Sequence, residues 1–216
     1  MSEHLNHPYS KKEERLNIIT HAFGLLLSSI GLPFLIVNSF EYEGFWESAS
    51  LVIYGLSLIV LYAASTFYHA AKNPRLRRKL NIFDHAAIYI LIAGTYTPFA
   101  MLVLEPDLGW IIFGLTWSFA LIGVVLKLFY TGRYDKLSTA LYLLMGWQVL
   151  FVIHPLMERL SAESLQLLFA GGVFYTLGAV LYSLKKLPYN HALFHVFVVF
   201  GSVCHFFSVL GPSNVL

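Results

Sequence analysis

Apolar residues in this chain come in long, uniform runs, each closed off by charge or by turn residues. Seven such runs stand out: Leu16 to Val37, Glu47 to His69, Ile82 to Leu104, Leu108 to Leu128, Ser138 to Met157, Leu165 to Leu184, and His191 to Leu210. The hydrocarbon core of a bilayer is about 30 Å thick and takes roughly 20 apolar residues per helix, so each run is long enough to cross once. Strands of a membrane barrel would alternate polar and apolar positions over about ten residues; these runs are too long and too uniform for that. The connectors are short and leave no room for a soluble domain. The pattern therefore predicts an all-α membrane protein: a polar tail over residues 1–15, then one seven-transmembrane-helix bundle over residues 16–212.

Composition points the same way. Of 216 residues, 57% are hydrophobic and only 12% are charged, and the mean hydropathy is +0.67. A soluble domain carries about 25% charged residues to cover its surface, and a disordered chain needs low hydrophobicity with high charge, so both classes are excluded. The single cysteine, Cys204, rules out a disulfide scaffold and a four-cysteine zinc site. A net charge of +2 gives no reason to expect a nucleic-acid partner.

What the basic residues do carry is orientation. Of the 14 lysines and arginines, all but Arg159 fall on one side of the predicted topology: Lys11, Lys12 and Arg15, the group from Lys72 to Lys79, Lys127, Arg133 and Lys136, and Lys185 with Lys186. The opposite loops are acidic, with Glu41, Glu43, Glu105, Asp107, Glu158 and Glu163. The positive-inside rule then puts the N-terminus in the cytoplasm and the C-terminus outside, in a multi-pass protein of the cell (inner or plasma) membrane. The first apolar run is longer than a signal-peptide core, follows a polar fifteen-residue tail and lacks a small-residue cleavage site, so it reads as a permanent first helix. The tail, with His4 and His7, reads as mobile.

Ionisable groups inside membrane spans are costly and point to function. His191 and His195 are four apart, so both rings lie on one helix face and can reach one ion. Alone, such a pair is a weak signal. Topology strengthens it, because His69 closes the second run at the same predicted boundary, Asp84 opens the third there, and Ser65 lies one turn before His69. Three imidazoles, a carboxylate and a hydroxyl are thus expected within about two turns of one membrane surface, roughly 10 Å. Three neutral imidazoles with an open fourth position describe a catalytic zinc site whose bound water is acidified to a pKa near 7. Asp84 would orient or deprotonate that water and Ser65 would hydrogen-bond to it or to a substrate oxygen. The plainer reading is that these groups only pair helices by hydrogen bonds in lipid.

Other polar positions carry less. Glu14, Asn17, Thr20 and His21 form one polar stripe that either braces this site, bonds to loop backbone, or is an ordinary interfacial turn. His85 points about 100° away from Asp84 and reads as a helix-contact or interfacial residue. His205, about 15 Å further along its helix than His195, reads as a packing or lipid-pathway residue. His154 before Pro155 reads as interfacial, Cys204 as core filler, and Trp46, Trp110 and Trp147 as anchors or packing.

The pieces Glu14-x-x-Asn17-x-x-Thr20-His21, Ser65-Thr-Phe-Tyr-His69, Asn81-Ile-Phe-Asp84 leading into Gly94-Thr-Tyr-Thr-Pro98, and His191-Ala-Leu-Phe-His195 with His205-Phe-Phe resemble the hemolysin III family. That family is the bacterial branch of the progestin and adiponectin receptor superfamily, which is grouped with alkaline ceramidases. The resemblance spans nearly the whole chain and implies seven helices, a cytoplasmic N-terminus, and one zinc ion held by His69, His191 and His195. It also implies that Asp84 and Ser65 stand near the zinc-bound water, and that the chemistry is that of relatives which hydrolyse the amide bond of ceramides.

Three functions follow as expectations: a zinc-dependent membrane hydrolase acting on a lipid amide or ester; a non-enzymatic membrane-homeostasis regulator with a structural zinc; and a hemolysin or pore-forming cytolysin, as the family name suggests. The partner expected is a membrane lipid or lipid-like substrate. The paired histidine boxes of a membrane di-iron desaturase are absent, as are HExxH and GxSxG.

Overall fold

The computed structural model describes residues 9–131, 133–184 and 186–211. Eight α-helices follow in order: α1 Lys11–Ser39, α2 Phe45–Ala70, α3 Pro74–Pro98, α4 Pro106–Tyr130, α5 Asp135–Gly146, α6 Ile153–Arg159, α7 Ala162–Ser183 and α8 Asn190–Leu210. A π-helical turn, Phe99–Val103, extends α3, and a 3₁₀ segment, Trp147–Val152, joins α5 to α6 into one span. Seven helical segments are long and apolar enough to cross a membrane. Large apolar side chains such as Phe34, Leu121 and Phe151 stand exposed on their outer faces, as a lipid-facing surface requires. The chain is a seven-span all-α membrane protein.

Two helices begin earlier than the apolar runs suggest. Ser10 caps α1 by accepting the Glu13 N–H, and Glu13 and Glu14 occupy its first turn. An N-cap serine and first-turn carboxylates both stabilise a helix start, so residues 11–15, which read as tail, are helical. Asn73 caps α3 and Pro74 opens it, a placement that suits proline because its missing N–H has no helical partner there. Asp84 is consequently well inside α3 rather than at its start, at the point where the basic first turns give way to apolar sequence. His4, His7 and Lys185 lie outside the described residues.

The helices pack mostly as sequence neighbours, α1 on α2, α2 on α3, α3 on α4 and α7 on α8, and α1 also packs on α8. Hydroxyls bind α2 to α8. Tyr62 of α2 donates to Ser202 of α8 at 2.7 Å, and Tyr175 of α7 meets the same hydroxyl at 2.8 Å. Tyr62 reaches across because α1 has Gly24 where its ring passes; a Cβ at Gly24 would run into that ring. With lipid on the outside no hydrophobic force draws helices together, so small residues and interhelical hydrogen bonds do that work.

The fifth span is broken between Gly146 and Ile153, and Tyr96 of α3 mends the break. Its hydroxyl donates to the Gly146 carbonyl at 2.7 Å and accepts the Val149 N–H at 2.7 Å. Backbone polar groups at membrane depth must be satisfied internally. Tyr96→Phe is expected to remove both of these bonds and to lower stability by about 1–2 kcal/mol. Thermal unfolding in bicelles checks the size, and faster amide exchange at Val149 with unchanged exchange in α7 and α8 checks the place.

Candidate metal centre

His69 lies in the last turn of α2, and His191 and His195 lie in the first two turns of α8. The turn before α8 is tight. Tyr189 adopts left-handed backbone, φ 58°, and Asn190 donates its side-chain amide to the Tyr182 and Leu184 carbonyls at 2.9 and 3.4 Å, satisfying carbonyls that the end of α7 leaves open. Such strain at a non-glycine residue costs of order 1 kcal/mol or more, and here it sets where α8 begins. All three imidazoles are buried, and one ring nitrogen from each lies within 4.8 Å of the others. His69 Nε2 and His191 Nε2 are 3.1 Å apart.

The far sides of these rings are also occupied. His69 Nδ1 donates to Glu14 Oε2 at 2.7 Å. A carboxylate only accepts, so the Nδ1 proton is fixed and Nε2 is left as a lone pair. His195 Nδ1 donates to the Asn17 carbonyl at 3.3 Å and faces Thr20 Oγ1 at 3.3 Å, which fixes its tautomer in the same sense. His191 Nδ1 and the Tyr9 hydroxyl are 3.1 Å apart. Glu14 is anchored in turn by an ion pair with Arg77, whose guanidinium also donates to the Tyr68 and His69 carbonyls at the end of α2. His21 stacks on His195 with ring centroids 3.5 Å apart. Burial beside Tyr182, Tyr68 and Asp84 pushes the Tyr9 phenol well above its ordinary value, so it stays protonated.

This donor set fits a metal ion. With its Nδ1 proton directed to Glu14, His69 turns its Nε2 lone pair toward His191 Nε2, a position that suits a shared cation as well as a His191 N–H donor. Two ligands of one tetrahedral zinc, each about 2.0–2.1 Å from it, stand roughly 3.3 Å apart, close to the Nε2 separation between His69 and His191. Metal-binding histidines characteristically donate their other N–H to a carboxylate or carbonyl, as His69 and His195 do.

Asp84 and Ser65, both buried, stand beside this cluster without belonging to it. The Asp84 carboxylate interacts electrostatically with His69 and lies next to the Ser65 hydroxyl. Asp84, His21, His191 and His195 line one end of a cavity of about 160 Å³. The rest of its wall is largely apolar, with Leu91, Ile92, Tyr96, Trp147 and Val198, and it reaches His205. A second, smaller hollow shares Tyr96, Trp147 and His205 with it. The sparsely packed α5 forms part of the wall.

The stripe Glu14, Asn17, Thr20 and His21 thus lies against the imidazoles. His205 donates Nε2–H to the Leu168 carbonyl at 3.0 Å, a packing role, while also lining the cavity. His85 accepts the Tyr142 hydroxyl at its carbonyl, 2.9 Å, a helix contact. His154 is exposed and 3.4 Å from Glu158. Two contributors were not foreseen. Arg77 sits inside a basic run that reads as a topology signal, and Tyr9 sits in the polar tail, where no periodicity marks it.

The family described as "Haemolysin-III related" matches residues 9–206. The "Hemolysin-3 homolog" of Bacillus subtilis (strain 168) is 44% identical over 202 residues, covering 94% of this chain and 95% of that protein. "Hemolysin-3" of Bacillus cereus is 41% identical over 199 residues, 92% of this chain and 91% of its own length. A more distant relative, the human "Monocyte to macrophage differentiation factor", is 29% identical over 207 residues, 91% of this chain and 83% of that one. The chain belongs to the haemolysin-III-related family.

Proposed function

We propose that this protein is a zinc-dependent hydrolase of the cell membrane that cleaves an amide or ester bond of a lipid near the cytoplasmic face. The observation that supports this most is three buried imidazoles, with ring nitrogens within 4.8 Å of one another, two of which, His191 and His195, line an apolar cavity together with the buried Asp84 carboxylate. His69, His191 and His195 would hold the ion. Bound there, zinc would acidify a water molecule and polarise the substrate carbonyl. Asp84 would take a proton from the attacking water as its oxygen bonds to the carbonyl carbon, and return it to the leaving nitrogen or oxygen as the C–N or C–O bond breaks. Ser65 steadies the Asp84 carboxylate or the substrate oxygen. The apolar wall takes the acyl chain and keeps bulk water away, which strengthens every polar contact at the reacting end. Among the described residues Asp84 is not part of the metal-ligand cluster, which favours an open position over a closed structural zinc.

The test is metal analysis of purified full-length protein, wild type beside His69→Ala and His195→Ala, followed by a screen for fatty-acid release from amide- and ester-linked lipids. One zinc per wild-type chain, none in the variants, and release by the wild type alone are expected. A metal-free wild type, or full activity in His195→Ala, would overturn the reading. Dye release from liposomes without zinc would instead support the lytic activity named in the Bacillus relatives.

A further inference from the structure

The three imidazoles come from α2 and α8, while their Nδ1 hydrogen bonds among the described residues run to another part of the chain. His191 meets Tyr9, His69 meets Glu14, and His195 meets Asn17 and Thr20. These partners all lie in one stretch of the chain, residues 9–20. Within it the residues differ in how freely they can leave. Glu14, Asn17 and Thr20 are built into α1 and move only with it. Tyr9 precedes the Ser10 cap, and the first helical carbonyl is that of Ser10, which accepts the Glu14 N–H at 2.9 Å. Tyr9 can therefore swing away without breaking a helical hydrogen bond. In place, its ring covers two of the three imidazoles, with centroids 4.7 Å from His191 and 5.8 Å from His69. It takes no part in the cavity wall, so it approaches the triad from another side.

We propose that residues 9–20 clamp the metal centre and that Tyr9 is the latch: a positioning residue that fixes the His191 ring and closes the site on the face away from the apolar cavity. This rests on the metal reading above and deepens it by naming what controls exchange of the ion. Linkage makes the coupling reciprocal. Whatever factor the docked latch adds to metal affinity, bound metal adds to latch docking. Substrate reaches the triad through the cavity, while the ion enters and leaves past Tyr9.

The experiment follows zinc release to a chromogenic chelator from full-length protein in detergent, for wild type, Tyr9→Phe and Tyr9→Ala. Partners behind a ligating histidine typically affect metal affinity about 10- to 100-fold. Tyr9→Ala is expected to release zinc about tenfold faster than wild type. Tyr9→Phe keeps the cover and loses the hydroxyl, so it should fall between them and should shift the visible bands of the cobalt-substituted protein. Amides of residues 10–14 should exchange faster once wild type is stripped of metal, and the stripped forms of all three proteins should melt together. Wild-type release rates in Tyr9→Ala, an unshifted cobalt spectrum in Tyr9→Phe, or a melting loss as large without metal as with it would overturn the latch and leave the hydrolase reading standing. A wild type that binds no metal would overturn both.

Discussion

Asp84→Asn is expected to keep one metal per chain while lowering lipid hydrolysis by about 10²- to 10⁴-fold, the usual worth of a positioned general base. The two halves of this expectation come from different features. Metal is retained because the carboxylate lies outside the triad, whose ring nitrogens gather without it, and because Glu14 and the Asn17 carbonyl hold the tautomers of His69 and His195 whatever stands at position 84. Activity falls because an amide of the same shape cannot take a proton. Stability should not suffer. Asp84 is buried, and a buried charge is kept at a desolvation cost that its neutral isostere avoids, so the variant should melt at or above the wild-type temperature. Zinc content, initial rate of fatty-acid release and thermal midpoint, measured on one preparation, check all three. Loss of metal along with activity would make Asp84 a ligand, and undiminished activity would move the base elsewhere.

Most of the fold was open to reading because lipid is an undemanding solvent to decode. It asks for about 20 apolar residues in a row and tolerates little else, so seven runs appear without any periodicity argument. The triad was legible for a related reason: histidine and aspartate are so costly in a span that their presence needs a cause, and the four-residue spacing of His191 and His195 already places both rings on one face. What stayed hidden was hidden physically. The break in the fifth span leaves no mark, since Trp147–Val152 is as apolar as a helix would be and the group that repairs it, the Tyr96 hydroxyl, comes from another span. The start of α1 depends on the Ser10 cap, one hydrogen bond that hydropathy does not register. Arg77 looks like any other member of a basic loop until the end of α2 folds back onto it. Tyr9 has no periodic neighbours, and only the tertiary meeting of α1, α2 and α8 gives it a partner.

Glu14→Ala is expected to be the single change outside the three histidines that most lowers stability and metal affinity together. Glu14 bonds to His69 through one oxygen and to Arg77 through the other, and its side chain, like that of Arg77, is almost nine-tenths buried. Removing it leaves the guanidinium, among the described residues, with carbonyl acceptors at the end of α2 in place of a carboxylate and leaves the His69 Nδ1 proton without its carboxylate. Breaking a largely buried pair from one side costs about 3 kcal/mol, and loss of the group that orients a ligating imidazole costs about 10- to 100-fold in metal affinity. The two effects are separable. Glu14→Gln keeps a carbonyl oxygen of the same reach, so it should recover much of the metal affinity while restoring none of the charge compensation for Arg77. Adding Arg77→Met to Glu14→Ala should do the reverse, returning stability by removing the stranded cation and leaving metal binding weak. A double-mutant cycle over these positions, read by thermal midpoint in the metal-stripped protein and by zinc titration, distinguishes the cases. If Glu14→Gln binds zinc no better than Glu14→Ala, the carboxylate acts on His69 by its charge and not by holding the ring in place.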